Sequence, residues 1–230
     1  MPDSARILPS ECGFAFTNAW PSQPAVVLPT PFGKVNIGDA GAGLCGGMVF
    51  AVLDYWHAGV SPPTGRPGQG EALFGFLVRR LVDSWHLPGG VVQYYQWMNL
   101  PDGDRSFDAF GRRVVIERGL AWRTVAVQWP QIAADLDHGI PVPLGVVTIA
   151  SPKPRDLGHN HQVLAVGYDT DNGTVTIRVY DPNRGPRDDI YIRFTTGAPT
   201  EPTVFEHNLD LDRPVRGFFR TAYAPSTPLA

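Results

Sequence analysis

Apolar positions follow two regimes along the chain. Between residues 46 and 98 they recur at helical spacing, and beyond residue 140 they alternate over short runs bounded by turn-forming residues. Residues 46–57, a mostly apolar run after a glycine-rich stretch, predict the first helix. In a second predicted helix, over 70–85, Leu73, Phe74, Phe76, Leu77, Leu81 and Val82 form the apolar stripe and Arg79 and Arg80 the polar face. A third is predicted over 91–98, after the break at Pro88-Gly89-Gly90, and a fourth over 106–118, stopped by Gly119. Trp122–Val127 reads as a strand. Pro130, tolerated in a first turn, opens a short helix that runs through Asp137 and stops at Gly139.

The remaining pattern is β. A strand is predicted over 140–148, and Gln162–Tyr168 pairs with Val175–Tyr180 across Asp169-Thr170-Asp171-Asn172-Gly173, a strong turn signal. Ile190–Phe194 and Gly217–Tyr223 add two shorter strands. Residues 13–35, where prolines interrupt short apolar groups, predict an irregular or edge-strand arm. Helices first and an antiparallel sheet last make an α+β fold with the first helix packed on the sheet. The expectation is one domain over 1–230: an irregular arm to residue 35, a mainly helical half over 36–120, and a mainly β half over 121–230.

Composition narrows the functional classes. With 43% hydrophobic and 18% charged residues, the chain can bury a full core. Its net charge of −3, with acids and bases interspersed, carries no footprint for nucleic acid. No apolar run reaches the ~18 residues of a membrane span, and residues 1–30 lack the signal-peptide pattern. A cytoplasmic protein with reduced thiols, no membrane partner and no nucleic-acid partner is expected. The two cysteines make no disulfide framework, and Cys12 reads as a small buried residue.

Cys45 is the other thiol. It follows the glycine-rich run 38–44 and opens the first predicted helix, so unpaired backbone N–H groups and the positive end of the helix dipole face it. His161 leads one predicted strand and Asp181 ends the next. Cysteine, histidine and carboxylate, each at the end of an element, are in the order a cysteine hydrolase requires: Cys45 attacking a carbonyl carbon, His161 moving the proton, Asp181 orienting the imidazole. Weaker patterns yield to simpler readings. His159 and His161 share a strand face with no third metal ligand, and 169–173 lacks the glutamate of a calcium loop.

The segment His161-Gln162-Val163-Leu164-Ala165-Val166-Gly167-Tyr168 resembles the histidine strand of papain-like cysteine peptidases, and Cys45-Gly46-Gly47-Met48 resembles the start of their nucleophile helix. Residues 129–142 are similar to the helix–turn–strand of the bacterial C39-like branch, and Val179-Tyr180-Asp181-Pro182-Asn183 to the strand carrying the third member. The resemblance spans about residues 36–194. It implies a papain-like fold, a Cys45-His161-Asp181 triad, a peptide or small amide substrate and no cofactor. The family carries a glutamine about six residues before the cysteine, as an oxyanion donor; here Asp39 stands there, and a carboxylate cannot donate. Asn36 offers an amide three residues earlier. Two alternatives therefore accompany the hydrolase reading: a catalytically silent module binding a ligand in the same cleft, and a transglutaminase-like acyltransferase.

Overall fold

The computed structural model describes residues 7–20, 26–30, 33–37, 43–85 and 89–229, with the backbone alone over 26–30 and 33–37. A six-stranded antiparallel sheet forms its centre. The strands are β5 (Val142–Val147), β6 (His161–Asp171), β7 (Thr174–Tyr180), β8 (Tyr191–Thr195), β9 (Glu206–His207) and β10 (Gly217–Arg220), in the order β10-β5-β6-β7-β8-β9. The β6–β7 hairpin turns at Asn172 and Gly173, both at positive φ (46° and 78°), as the Asn-Gly signal predicts.

Alternation along β6 divides the core. Val163 and Ala165 point to a cluster with Val142, Leu144, Ile177, Val179 and Phe194, closed by Trp129 and Ile132 of helix α5 (Trp129–Asp137). Leu164 points the other way, onto Met48, Leu53 and Phe50 of helix α2 (Cys45–Ala58). Helix α2 is buried continuously from Gly46 to Tyr55, which explains its all-round apolarity. Gly59 ends it in the left-handed region at φ 68°, its N–H returning to Trp56. Helix α3 (Ala72–Ser84) packs against α2 so closely that a Cβ on Gly47 would overlap the Leu77 carbonyl. Residues Gly89–Met98 form helix α4, whose Tyr94, Trp97 and Met98 pack on Phe219 and Val147.

A buried ion pair fastens the last described segment to these helices. Arg80 of α3 meets Asp54 of α2 at 2.7 Å, and both are almost fully enclosed. Asp54 also accepts from the Tyr223 hydroxyl (2.7 Å) and the Ser226 N–H (2.9 Å), and Arg80 donates to the Ala224 carbonyl (2.8 Å). The guanidinium lies over the rings of Phe50 and Tyr223.

Two expectations are corrected. Residues 106–118 are a β-hairpin, β3 (Arg105–Ala109) with β4 (Arg112–Glu117), instead of a helix. Phe110 and Gly111 both take positive φ (52° and 73°), a two-residue turn that a helix cannot contain, and Val114, Val115 and Ile116 favour the extended state. Gly119 stops no helix; its N–H goes to Asp104 and its Cα lies against Gly103. The supposed strand over 122–127 is a π-helix, Trp122–Gln128, running into α5. Its Thr124 and Gln128 side chains accept the outward N–H groups of Phe218 and Arg220, closing an edge of the sheet that another strand would otherwise take.

The N-terminal arm contains a single helical turn, α1 (Pro9–Cys12), and a hairpin of β1 (Val26–Thr30) with β2 (Gly33–Ile37). Among the described residues no helix is long and apolar enough to cross a membrane.

Candidate functional site

Cys45 is the first residue of α2 and is half-buried. His161 is the first residue of β6, and Asp181 follows directly on β7, so pairing of β6 with β7 sets the last two side by side. The imidazole Nε2 lies 2.8 Å from Asp181 Oδ1; the histidine is 4% exposed and the aspartate wholly buried. Cys45 neighbours the same ring, near enough to favour its charged form, and lines the same cavity. With Nε2 taken by the carboxylate, Nδ1 is the nitrogen left for the thiol. The structure thus brings together the three residues singled out from the sequence.

Each member is held from behind. Asp181 accepts the N–H groups of Asn183 (2.9 Å) and Asp210 (3.1 Å). Tyr94 donates its hydroxyl to the His161 carbonyl (2.9 Å), fixing the start of β6 from α4; within the aromatic run 94–98, Tyr94, Trp97 and Met98 pack in the core, while the Tyr95 hydroxyl donates to the Pro152 carbonyl. Asn160 ties the preceding turn through Thr148 N–H and the Leu157 carbonyl. Burial works against a charge on His161, yet the Asp181 carboxylate and the contact with Cys45 outweigh it and push the imidazole pKa up to about 10. Burial likewise opposes ionisation of Asp181, and His161 with the two backbone N–H groups holds its pKa below the usual carboxylate range. Cys12 lies elsewhere, with burial pushing its thiol up to about 11. Both cysteines are free.

Asn18, which carries no local sequence signal, adjoins the helix start. Its Oδ1 accepts the N–H of Leu44 (2.8 Å), and its Nδ2 donates to Asn183 Oδ1 (2.9 Å), whose own amide donates to the Asp210 carbonyl (3.3 Å). Because Leu44 N–H can only donate and the Asp210 carbonyl can only accept, both amide orientations are determined. One hydrogen of Asn18 Nδ2 has no partner among the described residues. Asn18, Cys45 and His161 line one cavity of about 790 Å³, together with the loop Asp210–Arg213. On the core side, Gln162 is enclosed against Gly46 and Ser84, neither amide atom having a hydrogen-bond partner among the described residues.

Asp39 lies outside the described residues. Asn36 is in β2, where its backbone pairs with Val27 and its side chain is outside the description. His86 is also outside it, and His57 stacks on Tyr223 at the far end of α2. Among the described residues no group of three His, Cys, Asp or Glu could hold a metal ion.

Chemically, the arrangement can accept a thiol proton on an imidazole, stabilise the resulting imidazolium with a buried carboxylate, and present the sulfur at a solvent-accessible cavity. Comparison with protein-family models, curated proteins and solved structures returns no match.

Proposed function

We propose that the protein is a papain-like cysteine hydrolase acting on a peptide or other amide. The observation that carries this reading is the buried His161–Asp181 pair with Cys45 beside it at the wall of an open cavity. The α+β arrangement, with the thiol at a helix start and its base on the facing sheet, supports the same reading.

In the proposed reaction His161 carries the thiol proton and the Cys45 sulfur bonds to the amide carbonyl carbon. The oxyanion is met by the Cys45 backbone N–H and by Asn18 Nδ2, the latter in place of the family's glutamine. The tetrahedral species collapses as His161 delivers its proton to the nitrogen and the C–N bond breaks, leaving a thioester and a free amine. Water then adds to the thioester, its proton passing to His161. Breaking the C–S bond releases the carboxylic acid and returns the thiol.

The test begins with iodoacetamide at pH 6. Cys45 in the wild type is expected to be alkylated at least ten-fold faster than in His161→Ala, followed by mass spectrometry of the Cys45 peptide so that Cys12 is scored separately. A peptide-amide library then locates turnover that Cys45→Ala abolishes. Equal alkylation in wild type and His161→Ala, with turnover surviving in Cys45→Ala, would sink the proposal.

A further inference from the structure

The loop Asp210–Arg213 gives the cavity a charge pattern of its own. Two described arginines, Arg112 and Arg213, enter no ion pair, hydrogen bond or ring contact among the described residues. Arg112 is exposed beside the β3–β4 turn, where water suffices. Arg213 is different: it is half-buried and lines the cavity that holds Cys45 and His161. A guanidinium on a cavity wall with no counter-charge of its own is free to meet an anion that enters, and proteins ordinarily pair such groups where they are partly covered.

The neighbouring carboxylates do not serve. Asp181 is committed to His161 and two backbone N–H groups. Asp210 lies 3.6 Å from Arg184, and Asp212 is solvent-exposed with no ion pair among the described residues. The other lining groups nearest in kind, Asn18, Asn160 and Asn183, are neutral amides.

We infer that Arg213 is a substrate-binding residue that pairs with a carboxylate carried close to the scissile carbonyl, so that the preferred substrates are anionic. This rests on the hydrolase reading and adds the substrate class to it. The planar fork of donors suits a carboxylate, supplied either by an acidic side chain or by a free peptide C-terminus.

A pair of reagents that differ in this one charge tests the inference. Iodoacetate and iodoacetamide both alkylate Cys45, and the ratio of their rates cancels any change in the thiol itself. In Arg213→Gln the iodoacetate-to-iodoacetamide ratio is expected to fall about five-fold at low ionic strength, and the difference to shrink in high salt. Arg213→Lys, which keeps the charge, should hold most of the wild-type ratio. N-acetyl-glutamyl amide and N-acetyl-alanine then compete for protection of Cys45, the first offering a side-chain carboxylate and the second a C-terminal one. Protection by either that is lost in Arg213→Gln supports the inference and identifies the source. An unchanged ratio in Arg213→Gln, with Cys45 still alkylated faster than in His161→Ala, overturns it and leaves the hydrolase reading standing. Equal alkylation of Cys45 in the presence and absence of His161 would instead remove the reading beneath it.

Discussion

Replacing Asp181 by asparagine removes one charge and almost no volume, which makes it the sharpest probe of the buried pair. Asp181 now accepts three hydrogen bonds: from His161 Nε2, from Asn183 N–H and from Asp210 N–H. An asparagine offers one carbonyl and one NH2, so whichever way it is turned, one backbone N–H faces an amide nitrogen. Leaving that donor unpaired costs about 1–3 kcal/mol. Loss of the charge adds to this, although His161 relieves part of it by giving up its proton; outright removal of a partner from a buried pair costs about 3–5 kcal/mol. The sum is a destabilisation of about 3 kcal/mol at pH 7, or a drop in Tm of about 6–12 °C for a chain of this size.

The pH dependence separates the two contributions. His161 has a folded pKa raised to about 10 from 6.5, so its contribution is complete below pH 6.5 and disappears as pH rises through about 10. Asp181 has a depressed pKa, so its contribution is present above 3.8 and is lost as pH falls. The difference between wild type and Asp181→Asn, measured by urea unfolding, should therefore be greatest between about pH 5 and pH 6.5 and decline as pH rises toward about 10. Toward pH 11 it should contract to the unpaired-donor remainder. A difference that stays constant from pH 5 to pH 11, or never exceeds about 1 kcal/mol, would refute the buried charge pair.

Asn18→Asp keeps an acceptor for Leu44 N–H but removes the donor, so kcat on a cleavable peptide amide should fall about 10²-fold; wild-type kcat in this variant would exclude the Asn18 amide from the oxyanion site. Gly47→Ala drives a methyl group into the α3 backbone at Leu77 and should cost about 1–3 kcal/mol in chemical denaturation. Gly75→Ala, a position of α3 with nothing within 4 Å, should gain about 0.5–1 kcal/mol, and a matching loss at both sites would contradict the described helix contact. Arg80→Met leaves Asp54 buried without its cation and should cost about 3–5 kcal/mol, with faster proteolysis within 223–229 as a second readout. Phe110→Asn places a residue that tolerates φ 52° in the β3–β4 turn and should raise stability by about 0.5–1 kcal/mol; no gain would argue against that turn geometry.

What the sequence made legible was whatever a short window could encode. The mostly apolar run over 46–57, the Asn172-Gly173 turn and the Pro130 start of α5 each state their structure locally, and α2, the β6–β7 hairpin and α5 follow. Cys45, His161 and Asp181 were legible because each marks the end of such an element. Residues 106–118 misled because their apolar positions fit a helix, while the decisive Phe110-Gly111 turn has a phenylalanine where asparagine or aspartate usually signals it. Residues 122–127 alternate as a strand does, and only the need to satisfy N–H groups on β10, far along the chain, makes the helix the better use of Thr124 and Gln128. Asn18 was hidden by distance. The β1–β2 hairpin lies between it and Cys45, and no spacing rule predicts that a residue so far upstream meets the Leu44 N–H. Arg213 was hidden by composition, since one arginine in an acidic loop reads as surface until its lack of a partner is seen.

The fastening of Ser226 and Tyr223 to Asp54 has a consequence for how the protein is made. Asp54 belongs to the helix that begins with Cys45, and its charge is neutralised by Arg80 and enclosed by a segment 169 to 172 residues further on. A ribosome emits helix α2 well before this closing segment. Until residue 226 has emerged, the Asp54–Arg80 pair lacks its cover. Closure over Asp54 thereby waits for a segment 169 to 172 residues downstream, and a nascent chain that already bears Cys45, His161 and Asp181 still lacks the contacts that bury this charge.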